Sequence, residues 1–157
     1  VLVGLIYIPG LMGFQLALRE AGYVWIIFLY GTIWGSDSMA YYFGKFIGGK
    51  KLYPSLSPKK TIAGAVGSVV GGLLAAMLIK AILMKPLPLG TASALGAVVG
   101  MTAIIGDLVE SMFKRDAGVK DSSPLIPGHG GFLDKLDSAL FAGPVLYWLA
   151  LRCILNA

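Results

Sequence analysis

The chain reads as an all-α protein, a polytopic transmembrane helical bundle whose polar, site-bearing loops lie on the cytoplasmic side. Three observations predict this. Hydrophobic residues make up 57% of the 157 positions and charged residues only 13%, too apolar for an ordinary soluble domain. The apolar residues fall in runs near the roughly 20 that a helix needs to cross a hydrocarbon core, and helix is the open-chain form that satisfies its own backbone there. The charges gather in two loops between those runs. The net charge of +5 comes from loop lysines, not from a tail or a basic helix face. That argues against nucleic acid as a partner and for anionic lipid or a polyanionic substrate. A single cysteine, Cys153, sits in an apolar segment and excludes a disulfide framework or a cysteine metal site.

Taken in order, Val1 to about Leu18 is apolar but interrupted by Pro9 and Gly10, either a kinked helix or the remnant of a span. Tyr23 to Phe43 is the second candidate span. Ile62 to Leu83 is the third, with Gly64, Gly67, Gly71, Gly72, Ala75 and Ala76 in the small-xxx-small spacing that lets helices approach closely. Leu89 to about Phe113 is the fourth and repeats that spacing at Gly96 and Gly100, and Ala139 to Leu155 is the fifth. The small-residue faces suit a homodimer or packing within one subunit equally well. Lys45, Lys50, Lys51, Lys59 and Lys60 lie between the second and third spans, and Lys114, Arg115, Lys120 and Lys135 between the fourth and fifth. Alternation puts both loops on one face, which the positive-inside rule makes cytoplasmic, with a bacterial inner membrane as the expected location. The opposite side carries Arg19, Lys80, Lys85 and Arg152. Without repeats or low-complexity tracts, residues 1–157 read as one domain. A start at Val1, already apolar and without a recognisable signal peptide, is expected of the C-terminal part of a longer chain.

Several charges stand where lipid makes charge costly. Asp37 sits near the end of the second span, eight residues before Lys45, and is either paired with that lysine, solvated by headgroups, or turned toward a polar cavity. Asp107 and Glu110 lie three apart, with Ser111 and Lys114 on the same helical stripe. Two carboxylates near a helix C-terminus oppose the macrodipole, so something positive should compensate, either Lys114 and Arg115 or a hard divalent cation. Asp134 and Asp137 fall at the start of the last helix, where acidic residues suit the dipole. The preceding Pro127-Gly128-His129-Gly130-Gly131 lets backbone N–H groups come close to an anion, and His129 is either a loop hydrogen-bonder or a substrate contact. Ser57-Pro58 is expected to cap the third span, placing Lys59 and Lys60 in its first turn against the dipole, drawn there by headgroups or by an anionic substrate.

Ser111-x-x-Lys114-Arg115, Lys120-Asp121, Pro127-Gly128-His129-Gly130-Gly131, Asp134 and Asp137, in that spacing, resemble the C-terminal signature of the phosphatidate cytidylyltransferases. The resemblance extends upstream through Ser57 to Thr61 and Asp37 to Tyr41, and so covers most of the chain. Two positions depart from it. Lys135 stands where arginine is usual, keeping charge but losing the bidentate fork, and Ala63 stands where many members have glutamate.

The resemblance implies condensation of CTP with phosphatidic acid at the bilayer to give CDP-diacylglycerol and pyrophosphate, with Mg²⁺ and room for a second cation. It implies Asp107 and Asp134 as metal ligands. Lys114, Arg115 and Lys120 would hold the triphosphate, with His129 and Gly128, Gly130 and Gly131 placing the α-phosphate. Asp37 and Asp137 would contact the metal or brace its ligands, Lys59 and Lys60 would receive the lipid phosphate, and Ser57, Ser111 and Asp121 would contact substrate. A CDP-alcohol phosphotransferase signature is not found. Dolichol kinase, another CTP-using membrane enzyme, is a closer rival in chemistry. A cation-coupled transporter would place its charges near the bilayer midplane and show repeat symmetry, neither of which this sequence suggests.

Overall fold

The computed structural model describes residues 2–119, 122–123, 131 and 133–155. Five long helices and one small hairpin follow in chain order. They are α1 (Leu2–Ala21), α2 (Tyr23–Phe46), β1 (Lys51–Tyr53), β2 (Ser57–Thr61), α3 (Ile62–Leu83), α4 (Leu89–Asp116) and α5 (Leu133–Leu155). The all-α expectation holds, with α3 at its expected bounds and α4 and α5 each extended toward the polar loop between them. Helix α1 runs unbroken through Pro9, and Gly22, at φ 146°, makes the sharp joint to α2.

Among the described residues, three helices are long and apolar enough to cross a membrane: Ile62–Leu83, Leu89–Asp116 and Leu136–Ile154. Helices α1 and α2, the other two expected spans, have 20 and 24 residues but are not among them. At 1.5 Å per residue the 28 residues of α4 reach about 42 Å, longer than the roughly 30 Å hydrocarbon core.

Helix α3 packs between α2 and α4, and α5 lies against α4 and α1. Small residues make that spacing possible. A methyl added at Gly67 would lie 2.7 Å from the Met39 carbonyl of α2, and one at Gly72 would lie 2.5 Å from the Gly96 carbonyl of α4. The faces that suggested a dimer are thus engaged within the chain. Beside these contacts Ser36 donates to the Ser68 carbonyl at 2.7 Å and Ser68 to the Gly100 carbonyl at 3.2 Å, so a buried polar knot fixes three helices in register. A second knot holds α1. Gln15, 8% exposed, donates to the Ala139 carbonyl and accepts from Tyr30.

The start of α3 corrects the sequence reading. Ser57 does not cap it. Ser57 to Thr61 form β2, antiparallel to β1 with Lys51 opposite Thr61 and Tyr53 opposite Ser57. The cap is Thr61, whose backbone is extended and whose Oγ1 accepts from the Gly64 amide at 3.0 Å. Lys59 and Lys60 therefore precede the helix and point to alternate sides of a strand, which removes their conflict with the macrodipole.

Candidate acidic site at the loop end of the bundle

The C-terminal ends of α2 and α4, the hairpin and the start of α3 meet at one end of the molecule. A cavity of about 470 Å³ opens there, lined among others by Asp37, Lys45, Lys59, Lys60, Ser68 and Asp107. Asp107 lies at its edge with Lys60 Nζ 2.6 Å from Oδ2, and Ser111 donates to Oδ1 at 3.5 Å. Lys45 Nζ lies over the rings of Tyr41 and Phe46, 5.7 and 5.9 Å from their centroids.

Behind Asp107 the site deepens. One carboxylate oxygen from each of Asp107, Glu110 and Asp137 lies within 4.8 Å of the others. Glu110 is 1% exposed and Asp137 8%. Glycine makes the convergence possible: a methyl on Gly106 would sit 2.7 Å from the Asp137 carbonyl and 3.1 Å from the Phe141 Cβ, so only a bare Cα lets α5 come close enough. Glu110 Oε2 accepts from Lys114 at 2.7 Å, but Oε1 is buried without a hydrogen-bond partner among the described residues. Three clustered carboxylates with an unsatisfied buried oxygen form a donor set suited to a hard divalent cation.

Asp134 lies one step away. Lys114 Nζ bridges Glu110 and Asp134, reaching the latter at 2.6 Å. The other Asp134 oxygen accepts from the Ser122 amide, the Ser122 hydroxyl and the Gly131 amide. Burial pushes its carboxyl upward, but the hydrogen bonds from Lys114, Ser122 and Gly131 outweigh that and hold it well below the usual carboxylate range. Asp134 thus ties the loop to the first turn of α5, and its charge suits that helix end.

Of the other expected site residues, Ser57 is half-buried in β2, Lys59 lines the cavity, and Gly131 serves Asp134. Arg115 is exposed and reaches the Leu56 carbonyl at 3.5 Å and the Val119 carbonyl at 3.4 Å, fastening the end of α4 to the hairpin turn. Lys120, Asp121, Gly128, His129 and Gly130 lie outside the described residues. Two features escaped the sequence reading: the grouping of Asp137 with Glu110, and Gly106. A glycine next to Asp107 was the available signal, but which neighbour needed the space is a tertiary fact.

Fold and site together define a membrane-type helical bundle with a cluster of acidic residues able to hold a metal ion, beside a lysine-lined cavity at one end. The chain belongs to the Cytidylyltransferase family, whose profile matches residues 1–153. It is similar to the phosphatidate cytidylyltransferase of Synechocystis, 46% identical over 78% of this chain and 41% of that protein. The enzyme of the same name from Bacillus subtilis is 40% identical over 84% of this chain and 49% of its own length, and that of Brucella abortus 42% over 80% and 46%. The chain therefore spans about half the length, or less, of these curated relatives.

Proposed function

We propose that the protein to which this chain belongs condenses CTP with phosphatidic acid, giving CDP-diacylglycerol and pyrophosphate. The observation that carries this reading is the convergence of Asp107, Glu110 and Asp137 from two helices beside a cavity edged by Lys59 and Lys60. In the reaction a phosphate oxygen of the lipid bonds to the α-phosphorus of CTP. The bond from that phosphorus to the bridging oxygen of the β-phosphate breaks, and pyrophosphate leaves. Both reactants are anionic, so the site must supply positive charge and orientation more than a strong base.

Magnesium held by the three carboxylates would neutralise charge between the reactants. Lys60 and Lys59 stand where the lipid phosphate would arrive from the bilayer, and Lys60 exchanges Asp107 for it as substrate binds. Ser111 orients Asp107. Lys114, tied to Glu110 and Asp134, positions the carboxylates, a role that replaces the expectation of a phosphate-holding lysine. Asp134 acts through that lysine instead of sharing the cation with Asp107. Arg115, Lys120 and the segment of Gly128, His129 and Gly130 are assigned to the triphosphate. The site faces the cytoplasm, where CTP is found.

The test uses the complete protein. Asp107→Asn and Asp137→Asn each lower transfer of label from α-labelled CTP into chloroform-extractable lipid by about 100-fold or more at limiting magnesium. Near wild-type incorporation by either variant would overturn the assignment.

A further inference from the structure

We propose that Tyr7 of α1 is a positioning residue of the acidic site, its hydroxyl completing the hydrogen-bonding around a divalent cation held by Asp107, Glu110 and Asp137. This rests on the metal reading above and extends it to a helix that contributes nothing to the cavity or to any motif. Tyr7 packs edge-on against Phe113 of α4, ring centroids 5.4 Å apart, and tilted against Phe141 of α5 at 6.0 Å. Those contacts hold the ring in one place. Its hydroxyl is buried and has no hydrogen-bond partner among the described residues. Phe113 stands three residues after Glu110 on α4 and Phe141 four after Asp137 on α5, so the ring packs on the helix faces that carry those two carboxylates. Glu110 Oε1 is likewise buried and unpartnered.

A buried phenol and a buried carboxylate oxygen are each costly to leave unsatisfied, and here both lie at the helix faces that carry the acidic cluster seen among the described residues. A phenol both donates and accepts. It can give its proton to a carboxylate oxygen and take one from a cation-bound water, fixing both. Hydrogen-bonded partners of ligating carboxylates set ligand orientation, and their loss typically lowers metal affinity 10- to 100-fold. Tyr7, Phe113 and Phe141 are not among the residues that line the cavity, and within this aromatic group Tyr7 carries the hydroxyl.

The experiment titrates Mn²⁺ into the purified full-length protein and reads free Mn²⁺ by electron paramagnetic resonance, comparing wild type, Tyr7→Phe and Asp107→Asn. Tyr7→Phe keeps the ring and removes only the oxygen. Its affinity for Mn²⁺ should fall about 10-fold, while its melting temperature without metal stays that of wild type. Tyr7→His, which retains a ring and a donor, should bind more tightly than Tyr7→Phe. Wild-type affinity in Tyr7→Phe, with Asp107→Asn impaired, overturns the role of Tyr7 and leaves the metal site standing. Wild-type affinity in Asp107→Asn overturns both. If Tyr7→Phe melts early without metal and Tyr7→His binds no better, the residue is structural and the proposal fails.

Discussion

Lys114 joins two carboxylates from separate helices. Its ammonium lies 2.7 Å from Glu110, whose side chain is 2% exposed, and 2.6 Å from Asp134. Removing one partner of a buried ion pair leaves an uncompensated charge in a poorly solvated place, a larger penalty than the pair itself contributes. Lys114→Met should therefore destabilise the protein by about 3 kcal/mol, and Glu110→Gln combined with it should recover much of that loss. Thermal unfolding of the single and double variants checks this, and equal melting temperatures would contradict it. The sequence showed that Glu110 and Lys114 share a helical stripe, because an i,i+4 relation is fixed by helix geometry alone. It could not show that the same ammonium reaches Asp134 twenty residues on, which depends on how α5 returns to α4.

Two elements bring the site together, and both act through backbone. Gly106 lets α5 approach α4 where Asp107 and Asp137 must meet. Gly106→Val should cost about 1–3 kcal/mol by overpacking and, by separating the carboxylates, abolish CTP-dependent labelling of lipid. Gly90→Ala, at a helical glycine with open space around it, should change stability by less than about 0.5 kcal/mol and leave labelling intact. Similar behaviour of the two variants would remove the role given to Gly106. The hairpin is the other element. Ser57-Pro58 carried a convincing helix-start signal, yet Thr61 makes the cap with the same hydroxyl chemistry four residues later. Strands of three and five residues hold too little alternation to register in sequence. Strand geometry thereby presents Lys60 to Asp107 at 2.6 Å.

At the scale of the whole molecule, the long apolar runs and small-residue spacings made the helical bundle legible, because lipid leaves a chain few other ways to satisfy its backbone. The cavity and the acidic cluster were less so, since they join residues from α2, α3, α4 and α5. The cations sort by end: Lys59, Lys60, Lys114 and Arg115 cluster about the hairpin, whereas Lys85 follows α3 at its far end. In full-length protein without other cysteines, and with Cys153→Ala, a membrane-impermeant maleimide should label Lys50→Cys only from the cytoplasmic face and Lys85→Cys only from the opposite face. Labelling of both from one side would overturn the proposed orientation.

The account turns on carboxylates from α4 and α5 sharing one cation. Anomalous diffraction from crystals of the full-length protein grown with Mn²⁺ tests this most directly. The predicted result is a peak within about 2.4 Å of oxygens from Asp107, Glu110 and Asp137. A cation coordinated by Asp134 with Asp137 out of reach, or no peak between α4 and α5 at saturating Mn²⁺, would contradict it.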